Sequence, residues 1–93
     1  MFKLFKCEGN SLFPLYKDSQ TILTIKKNRF LSFKVGDVVV FFHKDYGLMI
    51  KIIKEIKDNS FYVIGTSPDS IDSRNFGYIS KNDIKYKVLF KIF

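Results

Sequence analysis

Apolar and polar residues alternate with a period of two along most of the chain, which is the pattern of β-strands. Turn-forming residues separate the alternating runs, and the turn Lys57-Asp58-Asn59 predicts a hairpin. The predicted strands are residues 21–25, 38–42, 48–56, 60–64 and 84–92. No segment has the period of a long amphipathic helix. We therefore predict a mainly β domain with little helix, either a coiled sheet or a partly open barrel.

The polar segments between these runs predict loops and turns. The longest of them, residues 65–75, is rich in Ser, Asp and Pro and is expected to be a loop. Asp72 and Arg74 are close enough in this segment to form an ion pair, which would fix the loop in one geometry. A short helical turn is expected to begin at Ser11, because serine is a favourable N-cap residue.

Length and composition favour one small globular domain. The 93 residues are expected to form a single domain, residues 1–93, and the 46% hydrophobic and 17% aromatic content is sufficient for a core. The single cysteine, Cys7, excludes an internal disulfide and a cysteine-pair zinc site, and no metal or cofactor is expected. Without a long apolar segment or a signal peptide, the chain is expected to be cytoplasmic.

The net charge of +7 is compatible with several partners. Lysines alternate with apolar residues, as in residues 84–88, which is typical of the solvated face of a strand. A basic β-barrel that binds nucleic acid, with Phe41, Tyr46 and Tyr62 stacking on bases, is an alternative. Because the strands need these aromatic residues for their core, we expect no nucleic-acid partner. Contact of the basic surface with an anionic membrane is left open.

Two polar residues stand in positions that suit nucleophilic catalysis. Ser11 follows Gly9-Asn10 and precedes Pro14, at a predicted strand-to-turn junction that could expose its hydroxyl and direct backbone N–H groups at an oxyanion. Lys51 shares one face of its strand with Met49 and Ile53, whereas Lys54 shares the other face with Ile52 and Ile56. Burial between apolar neighbours would lower the pKa of Lys51 and allow it to act as a base.

The ordered motifs of the chain resemble those of the signal peptidase I family. They are Ser-x-x-Pro at residues 11–14, Gly-Asp-Val-Val-Val-Phe at 36–41, Ile-Lys at 50–51 and Ser-x-Asp-Ser-Arg-x-Phe-Gly at 70–77. The resemblance implies a serine peptidase in which Ser11 is the nucleophile and Lys51 the general base. It further implies that Ser70 orients the lysine and that Asp72 and Arg74 form a structural pair beneath the site. The family's β-fold, shared with the self-cleaving repressor peptidases, agrees with the strand pattern.

The chain departs from this family at three places. Leu12 stands where the family usually has Met, Ile52 where it has Arg, and Gly65-Thr66-Ser67 where it has Gly-Asp-Asn. The departures at Ile52, Thr66 and Ser67 leave open an inactive member that acts as a scaffold. A self-cleaving peptidase is disfavoured because only ten residues precede Ser11 and no Ala-Gly pair is present.

The resemblance also suggests a substrate. A chain of this length without a membrane anchor is most similar to the small proteases that mature nickel-type superoxide dismutase by removing a short N-terminal leader. The expected partner is therefore a proprotein with such a leader, bound in an extended conformation along a cleft lined by Glu8, Gly9 and Met49. The alternative within the family is a membrane-associated signal peptidase whose partner supplies the anchor.

Overall fold

The structure, a computed structural model, describes residues 1–6 and 20–92. Regular secondary structure in these ranges is mainly β, with one short α-helix and one 3-10 turn, Lys81–Asp83. The strands are β1 (Phe2–Lys6), β2 (Thr21–Lys26), β3 (Val38–His43), β4 (Gly47–Lys57), β5 (Ser60–Ile64), β6 (Ile79–Ser80) and β7 (Ile84–Lys91), and the helix is α1 (Ser73–Phe76). The prediction of a mainly β domain with little helix is confirmed.

All seven strands belong to one antiparallel sheet with the order β1-β2-β7-β3-β4-β5-β6. Among the described residues β1 and β6 form the two edges and do not pair with each other, so the sheet is open. The predicted hairpin joins β4 to β5, and Asp58 in its turn has a φ of 58°. The final strand, β7, lies between β2 and β3 and so connects the two halves of the sheet.

Apolar residues on both faces of the sheet form two separate clusters. The larger cluster contains Val39, Phe41, Ile53, Phe61, Val63, Ile79 and Ile84, and Phe76 of α1 packs against it. The smaller cluster, on the other face, contains Ile22, Val40 and Val88. The larger cluster lies on the face to which the side chain of Lys51 points.

A β-bulge in β4 corrects one detail of the predicted strand. The register between β4 and β5 shifts between Ile53 and Glu55, so that Lys54 has no partner residue in β5. The extra residue reverses the alternation, and Ile56 packs on the same cluster as Ile53. The prediction that Ile56 lies on the face opposite Lys51 is therefore wrong. Lys54 itself is exposed.

Four short elements had no predicted range: α1, β1, β6 and the 3-10 turn. The segment 65–75 was expected to be a loop throughout, but α1 begins inside it at Ser73. The helix forms because Asp72 caps it, accepting a hydrogen bond from Arg74 N, while Asn75 Oδ1 accepts one from the Asp72 N–H. Strand β1 had no predicted range, since its alternation is short and two of its three apolar residues are exposed.

Candidate active site

Lys51 lies in the middle of the sheet and is almost completely buried. It is opposite Val39 of β3, and only 4% of it is exposed. Strand periodicity directs its side chain to the face that carries Phe41 and Ile53, both of which belong to the larger apolar cluster. Lysine is rarely buried to this extent unless it is paired. Among the described residues, Lys51 Nζ makes no ion pair and donates no hydrogen bond.

The environment of Lys51 favours its neutral form. Burial lowers the pKa of the Lys51 ammonium because the charged form loses hydration. The carboxylate of Asp72 opposes this effect, and the guanidinium of Arg74 adds to it. A lysine whose pKa is lowered in this way holds a larger fraction of free amine near neutral pH and can accept a proton there.

Asp72 is the most highly hydrogen-bonded side chain near Lys51. It is fully buried, and its carboxylate accepts hydrogen bonds from Gly65 N (2.8 Å), Ser70 Oγ (2.9 Å) and Arg74 N (2.9 Å). Burial alone would raise the pKa of Asp72, but the hydrogen bonds from Arg74, Gly65 and Ser70 outweigh it and hold the pKa well below its ordinary value. The group is therefore a fixed anion at neutral pH.

Arg74 pairs with Asp72, as the sequence predicted. Its Nη2 is 2.7 Å from Asp72 Oδ2, and its Nε is 3.0 Å from Asp72 Oδ1. The same Nη2 donates to the backbone oxygen of Ser67 at 2.8 Å. These contacts tie both ends of the segment 67–74 together. The side chain of Arg74 is 43% exposed, so the pair closes the buried network on its solvent side.

Ser70 belongs to this network rather than to Lys51. Its hydroxyl donates to Asp72 Oδ2 at 2.9 Å and accepts from Arg74 Nη2 at 3.1 Å. No hydrogen bond joins Ser70 to Lys51 among the described contacts. Because Ser70 donates its hydroxyl proton to Asp72, it could interact with Lys51 only by accepting a hydrogen bond from the lysine amine.

Strand β5 brings the Asp72 network next to Lys51. Ile64, the last residue of β5, pairs with Ile52 of β4, so the next residue, Gly65, comes beside Lys51. The Gly65 N–H donates to Asp72, and the Val63 N–H donates to the hydroxyl of Ser73 at 2.8 Å. The segment after β5 thus folds back over its own strand and places an anion close to the buried lysine.

Sequence reasoning missed Ser73 and the backbone of Gly65. Ser73 is buried, and its hydroxyl oxygen accepts a hydrogen bond from the Val63 N–H, in the place of the carbonyl of a neighbouring strand. The sequence carried a signal for both, since Ser73 stands inside the Ser-x-Asp-Ser-Arg motif and Gly65 directly follows a strand. Their roles depend on hydrogen bonds across ten and seven residues, which a local pattern does not specify.

Met49 lies on the same face as Lys51, two residues before it in β4. It is partly buried, packs against the larger cluster and is opposite Phe41. Beyond it, the rings of His43, Tyr46 and Phe76 contact one another, with centroids 4.5–6.2 Å apart. One wall of any cleft beside Lys51 is therefore apolar and aromatic.

Ser11, Glu8 and Gly9 lie outside the described residues. The structure therefore bears on the predicted base and supporting residues, but the predicted nucleophile stays a prediction. Within residues 1–6 and 20–92, no group of three metal-ligating side chains is found, and no helix is long and apolar enough to cross a membrane.

Comparisons with known proteins leave the family unassigned. No family model and no curated protein matches the chain.

Proposed function

We propose that the chain is a serine endopeptidase with a Ser11–Lys51 dyad, of the signal peptidase I type. The observation that carries the proposal is the buried amine of Lys51, whose pKa is lowered by desolvation. A buried lysine with no ion-pair partner among the described residues costs stability, and such costly groups with shifted pKa values are concentrated at functional sites. The Asp72–Arg74 network beside it supports the same interpretation.

In the proposed mechanism, the Ser11 hydroxyl attacks the scissile carbonyl while the Lys51 amine takes the hydroxyl proton. The protonated lysine then delivers this proton to the leaving amine, and the peptide C–N bond breaks. An ester joins the new C-terminal carbonyl to Ser11. Lys51 next removes a proton from a water molecule, whose oxygen attacks the ester carbonyl. The ester C–O bond then breaks, the protonated lysine returns the proton to the Ser11 oxygen, and the carboxyl product leaves. No metal or cofactor takes part in this sequence.

The proposed substrate is a proprotein with a short N-terminal leader, with the precursor of nickel-type superoxide dismutase as the first candidate. The support for it is the motif resemblance described above. Extended chains bind beside strands through main-chain hydrogen bonds, and the partly buried Met49 would contact substrate side chains at such a position.

Cleavage of a panel of leader-bearing precursors by the wild-type chain and by Ser11→Ala tests the proposal. We expect the wild type to cleave at one site and Ser11→Ala to lose cleavage. Ser32→Ala, which changes an exposed serine in another segment, is the matched control and should retain activity. Equal cleavage by wild type and Ser11→Ala would exclude the dyad, and failure of the wild type on every precursor would exclude this substrate class.

The pH dependence of cleavage reports the state of Lys51. Because only the free amine accepts a proton, kcat/KM should rise about tenfold per pH unit below the pKa of Lys51 and level off above it. Since burial lowers this pKa, the bend should lie below the ordinary lysine value of about 10.4. Rates measured from about pH 5 to about pH 11 locate the bend. A bend at the ordinary lysine value would contradict the assignment of a buried base.

A further inference from the structure

One end of the sheet carries four cationic side chains and an exposed aromatic ring. We call this surface the basic tip; it consists of Lys27, Arg29, Phe30, Lys81 and Lys85. It lies where β2 ends and β7 begins, at the opposite end of β7 from Phe90. Its residues come from the segment after β2, from the 3-10 turn and from β7, so the cluster exists only in the folded chain.

Hydrogen bonds hold the lysines of the basic tip together. The backbone N–H of Lys27 donates to the Lys85 oxygen at 2.8 Å, and Lys27 Nζ donates to the Lys81 oxygen at 2.7 Å. Burial lowers the pKa of Lys27, and the charges of Lys85 and Lys81 lower it further. Asp83 opposes these two charges, but its carboxylate also accepts a hydrogen bond from the Ser80 backbone. The four cations thus outnumber the single carboxylate.

The ring of Phe30 projects from this surface. Phe30 is 83% exposed, and the guanidinium carbon of Arg29 lies 5.0 Å from its ring centroid. The turn that carries the ring is fixed, since Phe30 N donates to Asn28 Oδ1 at 2.8 Å and Leu31 N donates to Asn28 O at 3.2 Å. The fold therefore leaves almost the whole apolar surface of this ring in contact with water.

We infer that the basic tip binds the surface of an anionic lipid bilayer, with Phe30 inserted between the headgroups and the surrounding cations against the lipid phosphates and carboxylates. Exposed aromatic residues flanked by Lys and Arg are suited to this interface, because the ring enters the acyl boundary while the charges remain at the headgroups. The inference does not depend on the proposed peptidase activity.

The single ring of the basic tip favours a bilayer over a nucleic acid. Proteins that bind single-stranded nucleic acid stack successive bases on several aromatic side chains. The basic tip offers one ring, Phe30, with the guanidinium of Arg29 over one of its faces. Insertion into a bilayer uses the edge and volume of the ring, and the guanidinium is then at the level of the phosphates.

Co-sedimentation with vesicles tests the inference. The full chain should bind vesicles of phosphatidylcholine mixed with phosphatidylserine and should not bind vesicles of phosphatidylcholine alone. Phe30→Ser should weaken binding by about tenfold or more, because the apolar contribution of the ring is lost. Arg29→Glu and Lys85→Glu should each weaken it by about 25-fold, since each reversal changes two units of charge at the surface. Added salt should weaken binding by the wild type.

Two variants with the same kinds of substitution outside the basic tip serve as controls. Phe90→Ser removes a phenylalanine that is 54% exposed at the other end of β7, and Lys54→Glu changes the net charge as much as Lys85→Glu does. Both should bind like the wild type, and circular dichroism should show all variants folded. The inference would be overturned if the control variants lost as much vesicle binding as the basic-tip variants, or if the wild type bound neutral vesicles as well as anionic ones. It would also be overturned if the wild type bound single-stranded DNA but not vesicles, and the basic-tip variants lost that DNA binding.

Discussion

Lys51→Met is expected to abolish most cleavage and at the same time to make the protein more stable. Loss of a general base lowers kcat/KM by about 10²- to 10⁴-fold. Methionine has nearly the same length and no charge, so it fills the space between Val39 and Ile53 without the desolvation cost of an amine. We expect the free energy of unfolding to rise by about 0.5–2 kcal/mol. A precursor cleavage assay and urea denaturation measure the two effects.

Lys54→Met is the matched control, because Lys54 is exposed at the bulge of the same strand. It should keep full activity and change stability by less than about 0.5 kcal/mol.

The pH dependence of unfolding gives a further check. Burial lowers the pKa of Lys51 in the folded chain. At pH values between this lowered pKa and the ordinary lysine pKa, the unfolded chain therefore binds more protons than the folded chain. Wild-type stability should therefore rise with pH in this window, and Lys51→Met should lack that slope. A destabilised Lys51→Met would show that the amine has a structural role.

Asp72→Ala is expected to destabilise the fold strongly. The substitution leaves the buried N–H of Gly65 without its acceptor, removes the cap of α1 and breaks the pair with Arg74. An orphaned buried donor costs about 1–3 kcal/mol and a lost N-cap about 1 kcal/mol. The lost ion pair adds little to the destabilisation, because the exposed part of the Arg74 side chain is hydrated once Asp72 is removed. We expect a total loss of about 2–4 kcal/mol in the free energy of unfolding, measured by urea denaturation.

Asp69→Ala is the control in the same segment, because Asp69 is exposed, and it should stay within about 0.5 kcal/mol of the wild type. The pKa of Asp72 is lowered in the folded chain, so its contribution is complete above the ordinary value of about 3.9 and is lost as the pH falls toward the lowered value. Wild type should therefore lose stability in acid more steeply than Asp72→Ala. Parallel acid profiles for the two proteins would contradict the assigned network.

The alternation of the sequence was sufficient to locate most of the sheet. Strands β2, β3, β5 and β7 match their predicted ranges within one or two residues, because each buries at least one face and so repeats with period two. Strand β1 was missed, since Phe2 and Leu4 are exposed and its alternation carries no burial signal. The alternation gave Lys51 and Lys54 alike apolar neighbours, and only the structure shows that Lys51 is buried and Lys54 exposed.

The sequence by itself determined the fold class, the hairpin between β4 and β5 and the pairing of Asp72 with Arg74, because these depend on neighbours close along the chain. Only the tertiary structure decided that a bulge turns Ile56 to the face of Lys51 and that Ser73 and Gly65 complete the network. It alone also joined Lys27 to Lys81, fifty-four residues apart. Such contacts depend on strand order and register, which the local pattern of a chain does not encode.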